Sequence, residues 1–321
     1  MKFQMTRLKR VHKVQVETKH SKSQLGEIAM KIIIGPASAE LANKISQQTG
    51  CEKVSVASRI FPDGESYVRL EGNVKGEHVA LVQTTCAPQD SNLMQLAFIA
   101  SSAKRNEAKK VTAIVPYLAY ARQDKIFLQG ENISIETIAA MLKAAGIDEL
   151  VTVNVHEANA LKLFQYPAKT VSAIPILAQY FMDKGIEKAF ALSPDKGAMY
   201  IAQQAQTILK GEVGHLEKHR DRYTGQTTQT AAHLNVRGKS VIIFDDIIST
   251  GGTIVGAAKI LREQGAEHVY TACVHGLLIG DAEKRILDAG VEEIVATDSI
   301  PSKHSKVSLA PLLSQELKAL S

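Results

Sequence analysis

The sequence predicts an α/β protein of two tandem domains, each with a mostly parallel sheet flanked by helices. From Met30 onward, apolar runs of strand length alternate with segments whose apolar residues recur at helical spacing, which is typical of parallel sheets covered by helices. In addition, Asn132–His156 aligns without gaps onto Gly251–His275, at a constant offset of 119 residues. Seven of the 25 aligned positions are identical, where ordinary composition gives roughly one or two. This repeat indicates two copies of one helix–Gly–strand unit.

The expected elements alternate in both halves of the chain. We expect strands at Lys31–Ile34, Val54–Ser58, His78–Thr84, Val111–Val115, Leu150–His156, Ala189–Ser193, Val213–Leu216, Val241–Phe244, His268–Val274 and Glu293–Thr297. We expect helices at Ala37–Thr49, Asp90–Lys104, Ile133–Ala145, Ile174–Lys184, Gly197–Lys210, Thr253–Glu263 and Asp281–Ala289. Each helical segment places its apolar residues on one face, as Leu93, Leu96 and Ala100 do in the second helix.

Composition and charge exclude several classes of partner. No apolar run approaches the ~20 residues of a membrane span, so we expect no membrane partner. The net charge of +5 resides in residues 1–29, which hold seven Lys or Arg and two Glu, while the remainder holds 31 residues of each sign. We therefore expect no nucleic-acid partner. We interpret residues 1–29 as a basic leader that is disordered, or that results from a mis-assigned start codon before Met30.

The three cysteines, Cys51, Cys86 and Cys273, are far apart and lack the spacing of metal ligands. They indicate free thiols in a reducing compartment, and we expect a cytoplasmic protein.

The segment Val241–Thr253, VIIFDDIISTGGT, leads from an apolar strand through an acidic pair and a small-residue turn into a helix. Glycines let backbone N–H groups approach a phosphate, and the helix N-terminus adds positive potential. The carboxylates of Asp245 and Asp246 only accept hydrogen bonds when ionised, so they suit vicinal hydroxyl groups. The segment predicts a site for a ribose 5-phosphate group; an ordinary helix-capping turn is the alternative.

Two segments of the first half are polar or form turns. Arg122 and Gln123 follow a strand and an aromatic turn, where a guanidinium group can hold a nucleotide phosphate. The alternative is a surface loop with stray charges. Phe61–Glu65, FPDGE, by itself predicts only a turn, since Pro-Asp-Gly is turn chemistry.

Histidine and aspartate residues at strand ends form a further candidate site. His156 and Asp195 each end a strand in different halves, and together they suit a magnesium ion carried in by phosphates. The alternative is a hydrogen-bonded core residue, for His156 as for its repeat partner His275. Lys218 and Arg220 lie in a stretch that is either a solvated basic hairpin or a mobile loop that closes over a transferring phosphoryl group.

Taken in order, the motifs FPDGE, YARQD, VNVH, SPDKGA, KHR and DDIISTGGT resemble those of the ribose-phosphate pyrophosphokinases, also called phosphoribosyl pyrophosphate synthetases. The last motif alone resembles the phosphoribosyl pyrophosphate loop of type I phosphoribosyltransferases, and with VHGL at Val274–Leu277 it is similar to archaeal members. The resemblance runs from Met30 to near the C-terminus. It implies two type I phosphoribosyltransferase-like domains, residues 30–167 and 168–301, with residues 302–321 packing back on the first.

The resemblance also implies an activity and a set of site residues. ATP would donate its terminal pyrophosphoryl group to the anomeric hydroxyl of ribose 5-phosphate, with Mg²⁺ as cofactor and in a homo-oligomer. The residues matched by motif position are Lys218 and Arg220 for catalysis; Phe61, Asp63, Gly64, Glu65, Arg122 and Gln123 for ATP; Asp245, Asp246, Ser249, Thr250, Gly251, Gly252 and Thr253 for ribose 5-phosphate; and His156 and Asp195 for the metal.

The sequence departs from the family pattern at Lys196–Ala198, where His-Gly-Gly or Asp-Gly-Gly is common, and at Gln95, where Glu is frequent. Two alternatives remain: a phosphoribosyltransferase, which would consume the product, and a non-catalytic regulatory homologue of the synthetase.

Overall fold

The computed structural model describes residues 30–220, 227–230 and 234–320, except for the side chains of residues 218–220 and 227–230. The first sheet has seven strands: β1 (Lys31–Ile34), β2 (Lys53–Ile60), β3 (Ser66–Glu71), β4 (His78–Val82), β5 (Lys110–Val115), β6 (Glu149–Val153) and β7 (Ala168–Val171). Their order is β3-β2-β1-β4-β5-β6-β7. The β2–β3 pair is antiparallel, and the other neighbours are parallel.

The second sheet has six parallel strands: β8 (Phe190–Ser193), β9 (Val213–His215), β12 (Ser240–Ile248), β13 (His268–Gly276), β14 (Glu293–Thr297) and β15 (Ser305–Val307). Their order is β15-β14-β13-β12-β8-β9. Between β9 and β12, the strands β10 (Glu217–Arg220) and β11 (Thr227–Thr230) pair as a separate antiparallel hairpin.

Eight α-helices accompany the sheets in the described part of the chain. They are α1 (Ala39–Thr49), α2 (Gln89–Arg105), α3 (Ser134–Ala144), α4 (Ile174–Asp183), α5 (Met199–Leu209), α6 (Gly252–Glu263), α7 (Ala282–Asp288) and α8 (Ala310–Ala319). None of them is long and apolar enough to cross a membrane. The mostly parallel sheets flanked by helices confirm the predicted fold class.

Three large apolar cores are present in the described chain. One lies in each domain, and the third joins the two domains. This third core combines Leu41 and Ile45 of α1, Phe181 of α4, and Leu313 and Leu317 of α8. Helix α8 also reaches the first domain through polar contacts, since Ser314 Oγ lies 3.1 Å from Gln48 Oε1 and Lys169 pairs with Glu316 at 2.8 Å. Lys169 lies in β7, which pairs with β6, so the first sheet continues past the expected domain boundary at residue 167 to Val171. Helix α8 therefore packs against the first domain, whereas β15, which lies in the same C-terminal segment, pairs with β14 of the second sheet.

The repeated unit falls on equivalent elements, α3 with β6 and α6 with β13. The paired apolar positions, such as Leu142 and Leu261, are buried in both copies. Gly146 and Gly265 both end the helical turn with positive φ, +99° and +83°, a conformation that favours glycine. This correspondence supports the interpretation of the two halves as copies of one fold.

Two expectations for local structure need correction. The strand expected at Val241–Phe244 continues through Asp245 and Asp246 to Ile248, because β13 is also longer and pairs with it as far as Gly276. In the first half, Ser66–Glu71 forms an additional strand that pairs with β2, and Phe61–Glu65 is the predicted turn between them, closed by the Phe61 N–H donating to the Glu65 carbonyl at 2.8 Å.

Candidate active site

A cavity of about 210 Å³ opens where the carboxyl ends of the two sheets face each other. Parallel sheets gather the side chains that follow their strands at this edge, which is where α/β proteins bind ligands. The first domain contributes Arg122 and His156 to the lining. The second contributes Asp195 and the continuous segment from Asp245 to Ile254. Sequence reasoning placed all of these except Ile247, Ile248 and Ile254 in the site.

The turn at Ser249–Thr253 has the backbone geometry of an anion-binding loop. Gly251 has φ +76° and immediately precedes α6, which begins at Gly252. The carbonyl of Gly251 accepts the Val255 N–H at 2.9 Å, so the first helical bond starts here. The N–H groups at the start of α6 have no intrahelical acceptor and lie at the positive end of the helix dipole. This turn is therefore able to bind a phosphate.

The acidic pair lies beside the turn, and its two carboxyl groups differ in pKa. Burial, together with the adjacent Asp246 carboxylate, raises the pKa of Asp245 well above its ordinary value. Burial also opposes ionisation of Asp246, but hydrogen bonds from His156 and from Asp245 outweigh it and lower the pKa of Asp246. The negative charge of the two carboxyl groups therefore resides mainly on Asp246.

One hydrogen bond connects the two domains across the cavity. His156 Nδ1 lies 2.7 Å from Asp246 Oδ2, and Asp246 is 7% exposed. This bond raises the pKa of His156 above its ordinary value; burial and the nearby Arg122 charge act in the opposite direction. Its residues are 90 positions apart, and the sequence held no signal of the contact beyond the placement of both at strand ends.

The donor set fits a magnesium ion that is bound partly by phosphates. Among the described residues, no three His, Cys, Asp or Glu side chains form a cluster able to hold a metal by themselves. Magnesium typically takes one or two protein ligands and completes its shell with phosphate and water. His156 Nδ1 is engaged by a carboxylate, which is the usual arrangement for a histidine whose Nε2 binds a metal. Asp195 lines the same cavity.

Several predicted site residues lie elsewhere. Gln123 directs its side-chain amide to the Lys125 carbonyl at 3.2 Å. The FPDGE turn is at the tip of the β2–β3 hairpin and does not line the cavity of Arg122 and His156. Gly64 and Glu65 instead line a separate groove of about 640 Å³ beside α2.

Within the FPDGE turn, Asp63 Oδ1 accepts the Glu65 N–H at 3.1 Å, and the Phe61 ring lies 4.5 Å from the Arg59 guanidinium. Lys218 and Arg220 belong to β10, but their side chains lie outside the described part of the chain.

Comparisons with known proteins cover almost all of the described chain. A family model described as the N-terminal domain of ribose phosphate pyrophosphokinase matches residues 30–146, and a phosphoribosyl transferase domain matches residues 162–311.

Curated proteins similar to the chain carry the name ribose-phosphate pyrophosphokinase. The one from Methanobrevibacter smithii is 40% identical over 297 residues, covering 89% of this chain and 99% of the relative. The one from Saccharolobus solfataricus is 42% identical over 272 residues, covering 84% and 93%. The crystal structure of phosphoribosylpyrophosphate synthetase from Mycobacterium smegmatis superimposes with a TM-score of 0.81 at 31% identity, covering 91% of this chain and 98% of that one.

Proposed function

Because the chain belongs to the ribose-phosphate pyrophosphokinase family, we propose that it transfers the pyrophosphoryl group of ATP to the anomeric hydroxyl of ribose 5-phosphate. The products are phosphoribosyl pyrophosphate and AMP. The observation that carries the proposal is the single cavity in which Arg122 and His156 of one domain face the acidic pair and phosphate-binding turn of the other. A phosphoribosyltransferase alone would account for only the second half of this cavity.

The second domain holds the acceptor in this proposal. The N–H groups and hydroxyls of Ser249–Thr253 bind the 5-phosphate, and Asp245 with Asp246 receives the ribose hydroxyls. The anomeric oxygen then attacks the β-phosphorus of ATP and loses its proton, while the bond between the β-phosphorus and the α-phosphate oxygen breaks and AMP leaves. Such a transfer depends on alignment and on cations near the transferring group, rather than on a covalent nucleophile.

The first domain and the β10–β11 hairpin act on the donor. Arg122 holds the ATP phosphates through its guanidinium, and Gln123 assists from the same loop. His156 and Asp195 hold Mg²⁺, which neutralises phosphate charge when bound. Lys218 and Arg220 supply the positive charge that stabilises the transition state.

We also propose a homo-oligomer, which the position of the FPDGE turn supports. Within one chain this turn lies outside the cavity, so Phe61, Asp63, Gly64 and Glu65 frame the adenine only if they come from a neighbouring copy. We also assign the protein to the cytoplasm, with support from Cys51, Cys86 and Cys273, which are buried and unpaired by disulfides.

The test is to incubate the purified full chain with ATP, Mg²⁺ and ribose 5-phosphate and to quantify AMP and phosphoribosyl pyrophosphate. We expect equimolar products that require all three components. Absence of AMP would refute the proposal. If the chain instead consumed phosphoribosyl pyrophosphate in the presence of a nucleobase, the phosphoribosyltransferase alternative would replace it.

A further inference from the structure

The two histidines of the internal repeat make reciprocal hydrogen bonds between the domains. His156 extends from the first domain to Asp246 of β12, with 2.7 Å between Nδ1 and Oδ2. His275 extends from the second domain to the carbonyl of Val153, the last residue of β6, with 3.0 Å between Nε2 and the oxygen. Val153 lies three residues before His156, and His275 pairs in the sheet with Ile247, the residue after Asp246. Two hydrogen bonds therefore join the end of β6 in the first domain to the adjacent ends of β12 and β13 in the second.

The surroundings of His275 hold its ring in one orientation. The side chain is 2% exposed, and the Tyr117 ring of the first domain packs edge-on against it at 5.0 Å between centroids. A carbonyl oxygen only accepts hydrogen bonds, so Nε2 carries the proton that is donated to Val153. Nδ1 is then an acceptor, and Ser299 Oγ lies 2.9 Å from it and also 2.9 Å from the Val274 carbonyl, so the single Ser299 hydroxyl proton is shared between these two acceptors. Burial lowers the pKa of His275 to about 4, which keeps this neutral form at ordinary pH.

A third hydrogen bond joins the domains beside His275. Thr84 follows β4 in the first domain, and its hydroxyl donates to the Ser299 carbonyl at 2.8 Å. Both Thr84 and Ser299 are fully buried. Ser299 thus connects to His275 through its side chain and to the first domain through its backbone. Buried polar groups that are joined by hydrogen bonds in this way favour one arrangement of the groups around them.

We propose that His275 is a positioning residue that sets the distance between the donor and acceptor halves of the active site, an inference that rests on the proposed function. His275 does not line the cavity that contains the acidic pair and the turn, so it acts through the strand end that carries His156. The half that holds ribose 5-phosphate lies within the second domain and does not depend on this distance. Pyrophosphoryl transfer does depend on it, because displacement of a reacting group by about 1 Å can cost about a hundredfold in rate.

The experiment compares three variants with the wild-type full chain. His275→Phe retains an aromatic ring but removes both hydrogen bonds. His275→Gln retains a donor for the Val153 carbonyl and an acceptor for the Ser299 hydroxyl. His268→Phe is the matched control, because His268 lies at the other end of the same strand, is exposed, and contacts Glu292 within the second domain.

Turnover is measured as AMP formed and is divided by the number of ribose 5-phosphate sites found by titration calorimetry at the same temperature, which corrects for unfolded protein. We expect His275→Phe to lower turnover per site by roughly 10- to 100-fold. We expect the affinity for ribose 5-phosphate to change by less than about twofold. His275→Gln should restore most of the turnover, and His268→Phe should match the wild type.

If His275→Phe does not fold, Thr84→Val removes the hydrogen bond to the Ser299 carbonyl and should lower turnover per site while leaving ribose 5-phosphate affinity unchanged. Wild-type turnover per site in His275→Phe would overturn the inference about His275 and leave the proposed function standing. The same holds for Thr84→Val when it is the variant used. A loss of ribose 5-phosphate affinity equal to the loss of turnover would also overturn the inference about His275. A wild-type protein that produces no AMP would overturn the proposed function as well.

Discussion

The two adjacent glycines of the Ser249–Thr253 turn differ in the atoms that an added Cβ would contact. At Gly251, φ is +76°, and an added Cβ would lie 2.9 Å from Cδ1 and 3.1 Å from Cγ1 of Ile286, which is fully buried. The left-handed backbone costs about 1–2 kcal/mol for a residue with a side chain, and overpacking costs about 1–3 kcal/mol. We therefore expect Gly251→Ala to lower the free energy of unfolding by about 2–5 kcal/mol.

Gly252→Ala is the matched control, because Gly252 has negative φ at the start of α6 and no atom lies within 4 Å of an added Cβ. It should leave the free energy of unfolding unchanged or raise it by a few tenths of a kcal/mol up to about 1 kcal/mol. Urea unfolding followed by circular dichroism at 25 °C measures both. Calorimetry should also show weaker ribose 5-phosphate binding for Gly251→Ala, because the N–H groups of the turn shift. Equal unfolding free energies for the two variants would refute the reasoning.

Three further predictions concern the donor side and the interdomain bond. Lys218→Ala should lower turnover by about two or more orders of magnitude with ribose 5-phosphate affinity retained, since its charge acts chiefly in the transition state; an unchanged rate would exclude the loop from catalysis. His156→Ala should raise the Mg²⁺ concentration for half-maximal activity, which a metal titration measures against His275→Ala as the control. Equal shifts in the two variants would contradict the assignment of His156 as the ligand.

The third prediction concerns the pH dependence of stability and follows from the raised pKa of His156. A group whose pKa is higher in the folded state stabilises the fold fully below its unfolded pKa, about 6.5 for histidine, and loses this contribution as pH rises through the folded value. The stability advantage of the metal-free wild type over His156→Ala should thus be greater at pH 6 than above the raised pKa. Urea unfolding across this range measures it, and an advantage that grows with pH would contradict the charged His156–Asp246 pair.

Much of the fold was predictable because its signals are local. The strands and helices have regular apolar spacing, and most of their bounds fall within a few residues of those expected. The repeat at an offset of 119 by itself indicates two similar domains. The sequence pattern predicted that β12 ends at Phe244, because charged residues are uncommon in buried strands. In the structure β12 continues to Ile248, because β13 pairs with it past the two aspartates as far as Gly276.

The candidate site was predictable to the extent that its residues belong to short motifs. The order of the chain alone predicted a phosphate-binding turn after an acidic pair, with Arg122 in the equivalent loop of the first half. Only the tertiary structure decided that these two loops open onto one cavity and that the FPDGE turn does not. The same is true of the different roles of His156 and His275, which occupy identical places in the repeat. The physical reason is that both histidines contact residues about a hundred positions away in the chain. The packing of the two sheets therefore decides that His156 lies in the cavity and that His275 is buried between the domains.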